Sequence, residues 1–257
     1  MSVHADIPAV EHEVFANPPL KVMLGQVRFP PVLRIADPAY LASFQEAVRH
    51  QFPTFRQEQQ LTLMMGAQGP QVPSLQNAYR FVTDDGAWSI LLTPDAVTLE
   101  ADVAAGYTSF DGFVEQFRLV WQAILANFAP DRVARQGLRY VDHMEGERAA
   151  PEWAAVINHD LLGPLVDRFG TTITQAASEL RLTREDGVLV FKHGMLPLGP
   201  DATMGYLLDF DYFNEEPSDD TSLEAVMGRF NGYHQAVYAL FRWCVTDAAL
   251  EAFRGSR

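Results

Sequence analysis

The chain has 257 residues, 48% of them hydrophobic and 20% charged, so it can bury a full core and lies outside the disordered, collagenous and membrane-spanning classes. Lys and Arg number 19 against 33 Asp and Glu, and the resulting net charge of −14 repels phosphate backbones and argues against nucleic acid as a partner. The single cysteine, Cys244, excludes an internal disulfide and thiolate zinc sites, and the sequence has neither a basic-then-apolar leader nor an apolar run of bilayer length, so the expectation is a cytoplasmic protein with no membrane contact.

Residues 1–17 are polar and irregular and read as a flexible N-terminal arm, closed by Asn17-Pro18-Pro19, where consecutive prolines forbid helix and favour an extended start. A strand is predicted over Lys21–Phe29, stopped by Pro30-Pro31; Asp37-Pro38 then supplies an N-cap and an N1 proline for a helix over Ala39–Gln51. Gln60–Met65 reads as a strand and Gly66–Pro73 as a Gly/Pro-rich loop. Tyr79–Thr83 and Trp88–Leu92 read as antiparallel strands joined through the turn Asp84-Asp85-Gly86. A strand over Ala96–Val103 leads to a helix over Ser109–Phe128, whose apolar residues Phe113, Phe117, Val120, Trp121, Ile124 and Leu125 keep a 3.6-residue spacing.

The second half runs in the same order. A strand over Arg135–Met144 is followed by a helix over Pro151–Phe169, strands over Thr172–Arg184, Val188–His193 and Gly205–Phe213, and a helix over Ser222–Phe241, with the amphipathic run Ala239–Cys244 reading as the buried side of a helix. Local matches accompany the order: Val27-Arg28-Phe29 with Leu138-Arg139-Tyr140, Arg80 and Asp85-Gly86 with Arg181 and Asp186-Gly187, and Phe117-x3-Trp121-Gln122-Ala123 with Phe230-x3-His234-Gln235-Ala236. The expected fold is therefore α+β: two tandem β-α-β-β-β-α repeats, residues 18–130 and 131–257, forming one compact unit with pseudo-twofold symmetry and a largely antiparallel sheet packed by helices. The second half lacks a counterpart of the Gly66–Pro73 loop and is expected to run one long strand where the first has a hairpin. The element order resembles the duplicated saddle of the TATA-box-binding protein, whose DNA-binding role the acidity here argues against.

Four segments, Asn17-Pro18-Pro19-Leu20, the Arg28-Phe29 strand end, Tyr79-Arg80-Phe81 with the Asp85-Gly86 turn, and Gly137-Leu138-Arg139-Tyr140, resemble a sporadically distributed bacterial family with no established chemistry. The resemblance covers about residues 17–250, and a scattered distribution implies a role alongside defence, toxin–antitoxin or other mobile gene modules.

No phosphate-binding loop, dinucleotide fingerprint, nucleophile elbow or zincin motif occurs, so no cofactor and no metal is expected, and nothing in the sequence establishes catalysis. The strand Arg139-Tyr140-Val141-Asp142-His143-Met144 places Arg139, Val141 and His143 on one face and Tyr140, Asp142 and Met144 on the other. Arg139 and His143 could hold an anion, whereas the plainer expectation is an ion pair with Asp209-Phe210-Asp211, whose two carboxylates share a face. Arg28, Arg139, His143, Asp209 and Asp211 are the candidate ligand-binding residues, lining a polar pocket between the halves. The acidic loop with Glu215, Glu216, Asp219 and Asp220 is the candidate partner-binding segment and would face a basic protein. Two readings follow: a non-catalytic binding module acting as an adaptor, antitoxin-like component or sensor, with a protein partner; and an enzyme or small-ligand sensor built on the inter-half pocket.

Overall fold

The computed structural model describes residues 10–62, 65–66, 69–70, 74–106, 109–146, 150–199 and 202–255. β1 (Leu20–Arg28) and a 3-10 turn at Leu33–Ala36 precede α1 (Pro38–Val48), which starts where Asp37 accepts a hydrogen bond from Ala39 N at 2.9 Å. Then come β2 (Thr54–Thr62), the two-residue strands β3 (Met65–Gly66) and β4 (Gly69–Pro70), β5 (Ser74–Val82), β6 (Trp88–Thr93), β7 (Ala96–Asp102) and α2 (Phe110–Asn127). Ser109 caps α2 by accepting from Gly112 N, and the stripe Phe113, Phe117, Val120, Trp121 and Ile124 is fully buried, as its spacing predicts.

The second part holds β8 (Arg135–Glu145), a 3-10 turn at Ala150–Ala155, α3 (His159–Phe169), β9 (Ala176–Arg184), β10 (Gly187–Leu198), β11 (Thr203–Asn214), α4 (Leu223–Cys244) and α5 (Asp247–Arg254). The single helix expected over Pro151–Phe169 is broken. Asn158 accepts from Asp160 N and starts a new helix, and within it Gly163 takes φ 66° and ψ 177°, an extended ψ that the following Pro164 favours. β9 begins at Ala176 rather than Thr172, β2 begins at Thr54 rather than Gln60, and β10 runs five residues beyond the expected end at His193. α5 was not anticipated; Thr246 caps it by accepting from Ala249 N at 3.2 Å and donates to Ala155 O at 2.7 Å.

The main strands form one large antiparallel sheet of nine, in the order β2-β5-β6-β7-β1-β8-β11-β10-β9, while β3 and β4 pair separately. By compactness the chain divides into unit 1 (Met1–Met23, Leu138–Asn214 and Phe230–Arg257) and unit 2 (Leu24–Gly137 and Glu215–Arg229). This division by packing is distinct from the repeat boundary near residue 130, which concerns sequence order. In unit 2, Phe44 packs 5.4 Å from Phe81 and 5.7 Å from Phe128, and Trp121 Nε1 donates to Thr221 O at 3.0 Å. In unit 1, the core gathers Leu189, Phe191, Leu208, Phe210 and Tyr212 from β10 and β11 beneath Tyr233, Val237 and Leu240 of α4. Of the expected arm, residues 1–9 lie outside the described residues, and residues 10–17 are irregular and tied down: Asn17 N donates to Phe253 O, and Glu13 accepts a two-pronged hydrogen bond from Arg254 at 2.6 and 2.8 Å.

Candidate functional site

The alternation read in β8 sets the polar geometry of unit 1. Arg139, Val141 and His143 are partly or fully exposed, while Tyr140, Asp142 and Met144 are buried. Across the sheet, Arg139 grips Asp209 with both arms of its guanidinium, Nε to Oδ1 and Nη2 to Oδ2, each at 2.8 Å, and the two ends of this fork differ in burial, Arg139 half-exposed and Asp209 buried. Asp211 adds its charge to the field at Arg139. Nearby, the His143 backbone N–H donates to Pro19 O at 2.9 Å, and burial first, then Lys21, lowers the pKa of its ring against the pull of Glu145 and Asp209.

Of the five residues expected to line a ligand pocket, Arg139, His143, Asp209 and Asp211 thus belong to unit 1. Arg28 belongs to unit 2, where it donates to Asp95 at 3.2 Å beside Gln76 and Thr93, which donate to the same carboxylate. In the acidic loop, Asp219 lies 3.1 Å from Arg132, Glu215 lies 3.7 Å from Arg135, and Asp220 accepts from Ser222 N, so much of its charge already meets arginines or backbone donors of the same unit. Glu216 is exposed in the same segment.

The buried face of unit 1 carries titratable groups outside the five candidate ligand-binding residues. Asp142 is 5% exposed; burial and the neighbouring Asp209 charge push its carboxyl up to about 8, so it stays protonated at neutral pH. The Tyr140 hydroxyl and His234 Nδ1 are hydrogen-bonded at 2.7 Å, with His12 against the His234 ring at 4.8 Å; burial, then His12, drives the ring's pKa down to about 3. Cys244 is buried, and that burial together with Asp142 raises its thiol well above the usual range, so it is not an activated nucleophile.

Between α3 and the β9–β10 ladder lies a cavity of about 380 Å³. Trp153, Leu161, Phe169, Ile173 and Met195 make its apolar wall; Gln175, Ser178, His193 and Tyr206 supply the polar atoms. His193 sits on the face of β10 that also presents Leu189 and Phe191, directly opposite Ser178 of β9. Its Nδ1 is hydrogen-bonded to the Tyr206 hydroxyl at 3.0 Å, its ring stacks on Phe191 at 4.9 Å, and Trp153 packs 5.5 Å from Tyr206. Desolvation lowers the imidazole pKa and raises that of the Tyr206 hydroxyl, so both groups are neutral at physiological pH, and Nε2 is the ring atom that His193 can offer a ligand. Gly194 makes this ladder feasible: its φ is 153°, and a Cβ there would overlap the Ala176 carbonyl oxygen.

The signal for this site was present in the alternation Leu189, Phe191, His193, Met195, an apolar strand face interrupted once by an imidazole. What the sequence could not supply is the diagonal partner Tyr206, fixed only by the β10–β11 register that pairs Met195 with Tyr206 and His193 with Leu208. No helix of the described residues is long and apolar enough to cross a membrane. Comparison with protein-family models and with curated proteins finds no match for this chain.

Proposed function

We propose that this protein is a non-catalytic, cytoplasmic binding module, a sensor or adaptor component, that takes a small ring-bearing molecule with one hydrogen-bond acceptor into the cavity of unit 1. The observation carrying the reading is the buried His193–Tyr206 pair, set into a largely apolar wall around about 380 Å³, a volume typical of small-molecule sites. An aromatic body would stack among Trp153, Phe169 and Met195, while its polar end would meet His193 Nε2, the Ser178 hydroxyl or the Gln175 amide. Among the described residues the polar groups that line the cavity, Gln175, Ser178, His193 and Tyr206, are neutral hydrogen-bonding groups, which supports a binding role. The bacterial family resembled in the sequence would set such a sensor beside a mobile defence module.

Gentle purification followed by native mass spectrometry tests the reading. Wild type should retain a small molecule that Ala176→Trp, which fills the cavity from an exposed strand position, loses. Wild type emerging bare, together with no stabilisation by a panel of aromatic carboxylates, amides and alcohols, would overturn it.

The same reading includes an internal duplication. Outward from β1 the strand order is β7, β6, β5, β2, and outward from β8 it is β11, β10, β9, an order that supports pairing the halves strand for strand with β2 and the separate β3–β4 pair left without counterparts. Arg80 in β5 and Arg181 in β9 precede equivalent turns, which supports that correspondence. Superposition of residues 18–130 on 131–245 should lay α2 on α4 with Trp121 over His234; any other alignment refutes the duplication.

A further inference from the structure

β9 ends the nine-stranded sheet and is exposed at every one of its nine residues, with β10 its registered partner. Its even-numbered residues share a face with Phe191 and His193, and two of them, Leu180 and Leu182, stand 44% and 40% exposed. The odd-numbered residues on the other face include Glu179 and Arg181. An open edge with paired leucines is a template for strand addition, and edges that avoid it carry charged side chains, prolines or bulges. β9 has no proline, and of its three charged residues, Glu179, Arg181 and Arg184, the first two are opposite in sign and share one face.

From this arrangement we infer that β9 pairs antiparallel with β9 of a second copy of this chain, joining the two sheets edge to edge about a twofold axis at Leu180. Self-pairing obliges facing residues to lie on the same face, so the axis must pass through one residue of the strand. An axis at Glu179 sets Glu179 against its own copy, one at Arg181 sets Arg181 against its own, and one at Leu182 sets Glu179 opposite Glu185 of the other chain. The axis at Leu180 alone places Glu179 opposite Arg181 of the other chain, twice by symmetry. The same register sets Leu180 against Leu180 with each Leu182 on the diagonal, covering the four exposed leucines with one another. Within a single chain Glu179 contacts Lys192 at 3.4 Å and Arg181 lies over the Phe213 ring at 5.6 Å, so both charges already stand on the face that the partner strand would extend. This contact is independent of the cavity reading.

Sedimentation equilibrium and light scattering of the full chain test the pairing. Wild type should be a dimer, whereas Glu179→Arg and Arg181→Glu should each place two like-charge pairs in the interface and weaken association by on the order of 100-fold. Both substitutions are at exposed positions, so circular dichroism and the melting temperature of each monomer should show a folded protein. Mixing the two variants should restore a dimer containing one chain of each, because every cross-pair is then opposite in charge. A monomeric wild type, variants that remain dimeric, or a mixture that fails to associate would each overturn the proposal.

Discussion

Replacing Asp142 by Asn should make stability at neutral pH higher and, more tellingly, should remove a pH dependence. In the native protein Asp142 is 5% exposed and holds its proton up to about pH 8, whereas in the unfolded chain the carboxyl ionises near its ordinary value of 3.8. A folded-state pKa raised above the unfolded one contributes stability that is fully present below the unfolded pKa and is lost as pH rises toward the folded pKa. The slope is about 1.36 kcal/mol per pH unit inside that window. Between about pH 5 and about pH 7 wild type should therefore lose roughly 3 kcal/mol relative to Asp142→Asn, which has no proton to hold. His234 moves the other way: its pKa is depressed to about 3, so its contribution is present above 6.5 and lost as pH falls below it, but both proteins share that effect and it cancels in the difference. Urea denaturation of both proteins across this range measures the gap. A gap that stays constant with pH would mean that Asp142 is ionised in the folded state and would refute the reasoning.

Arg139→Ala should cost about 2–4 kcal/mol, since it strips the two-pronged hydrogen bond from the buried carboxylate of Asp209, and Arg139→Ala with Asp209→Asn should recover part of the loss. Chemical denaturation reads both, and a single-variant loss under about 0.5 kcal/mol would show the fork to be a surface pair of little weight. Thr246→Ala removes the N-cap of α5 and should cost about 1 kcal/mol, with faster hydrogen exchange across Asp247–Arg254 and, through the Asn17 N–Phe253 O bond, at Asn17 as well. Unchanged exchange at Asn17 would detach the arm from that helix.

How far the sequence could be read depends on the range of the interactions involved. α2 was legible almost to the residue because its determinants are local: the Ser109 cap and a buried stripe at helical spacing. α1 was legible from Asp37-Pro38 for the same reason. The alternation of β8 correctly separated Arg139 and His143 from Tyr140 and Asp142, since the pleat alone dictates it. The long helix expected over Pro151–Phe169 failed because Asn158 and Gly163-Pro164 interrupt an amphipathic pattern that otherwise runs through them. The cavity was illegible because it is assembled from segments far apart in sequence. His193 meets Tyr206 across a strand register, and Trp153 reaches Tyr206 from a 3-10 turn. Arg28 illustrates the converse: its equivalence to Arg139 in the sequence suggested a common role, and in the structure Arg28 meets Asp95 of the β6–β7 turn while Arg139 meets Asp209 of β11.

The distribution of buried polar groups separates the two units. Among the described residues of unit 2 the buried polar ones are Thr83, Thr93 and Gln136, which a folded chain can satisfy at little cost: Thr83 donates to Asp85 in a turn, and Gln136 donates to Val226 O and accepts from Arg229. In unit 1 they are Asp142, His193 and Asp209, all titratable, accompanied by the buried thiol of Cys244 and the depressed imidazole of His234. Keeping a carboxyl protonated and two imidazoles neutral costs stability that apolar side chains of similar size would not. A chain that tolerates this in one unit and packs Phe44, Phe81, Phe117 and Trp121 without it in the other concentrates its unfavourable burial in unit 1, and of these groups His193, hydrogen-bonded to the buried Tyr206, is the one that lines the cavity, where a perturbed group is the pattern expected of a site under functional constraint.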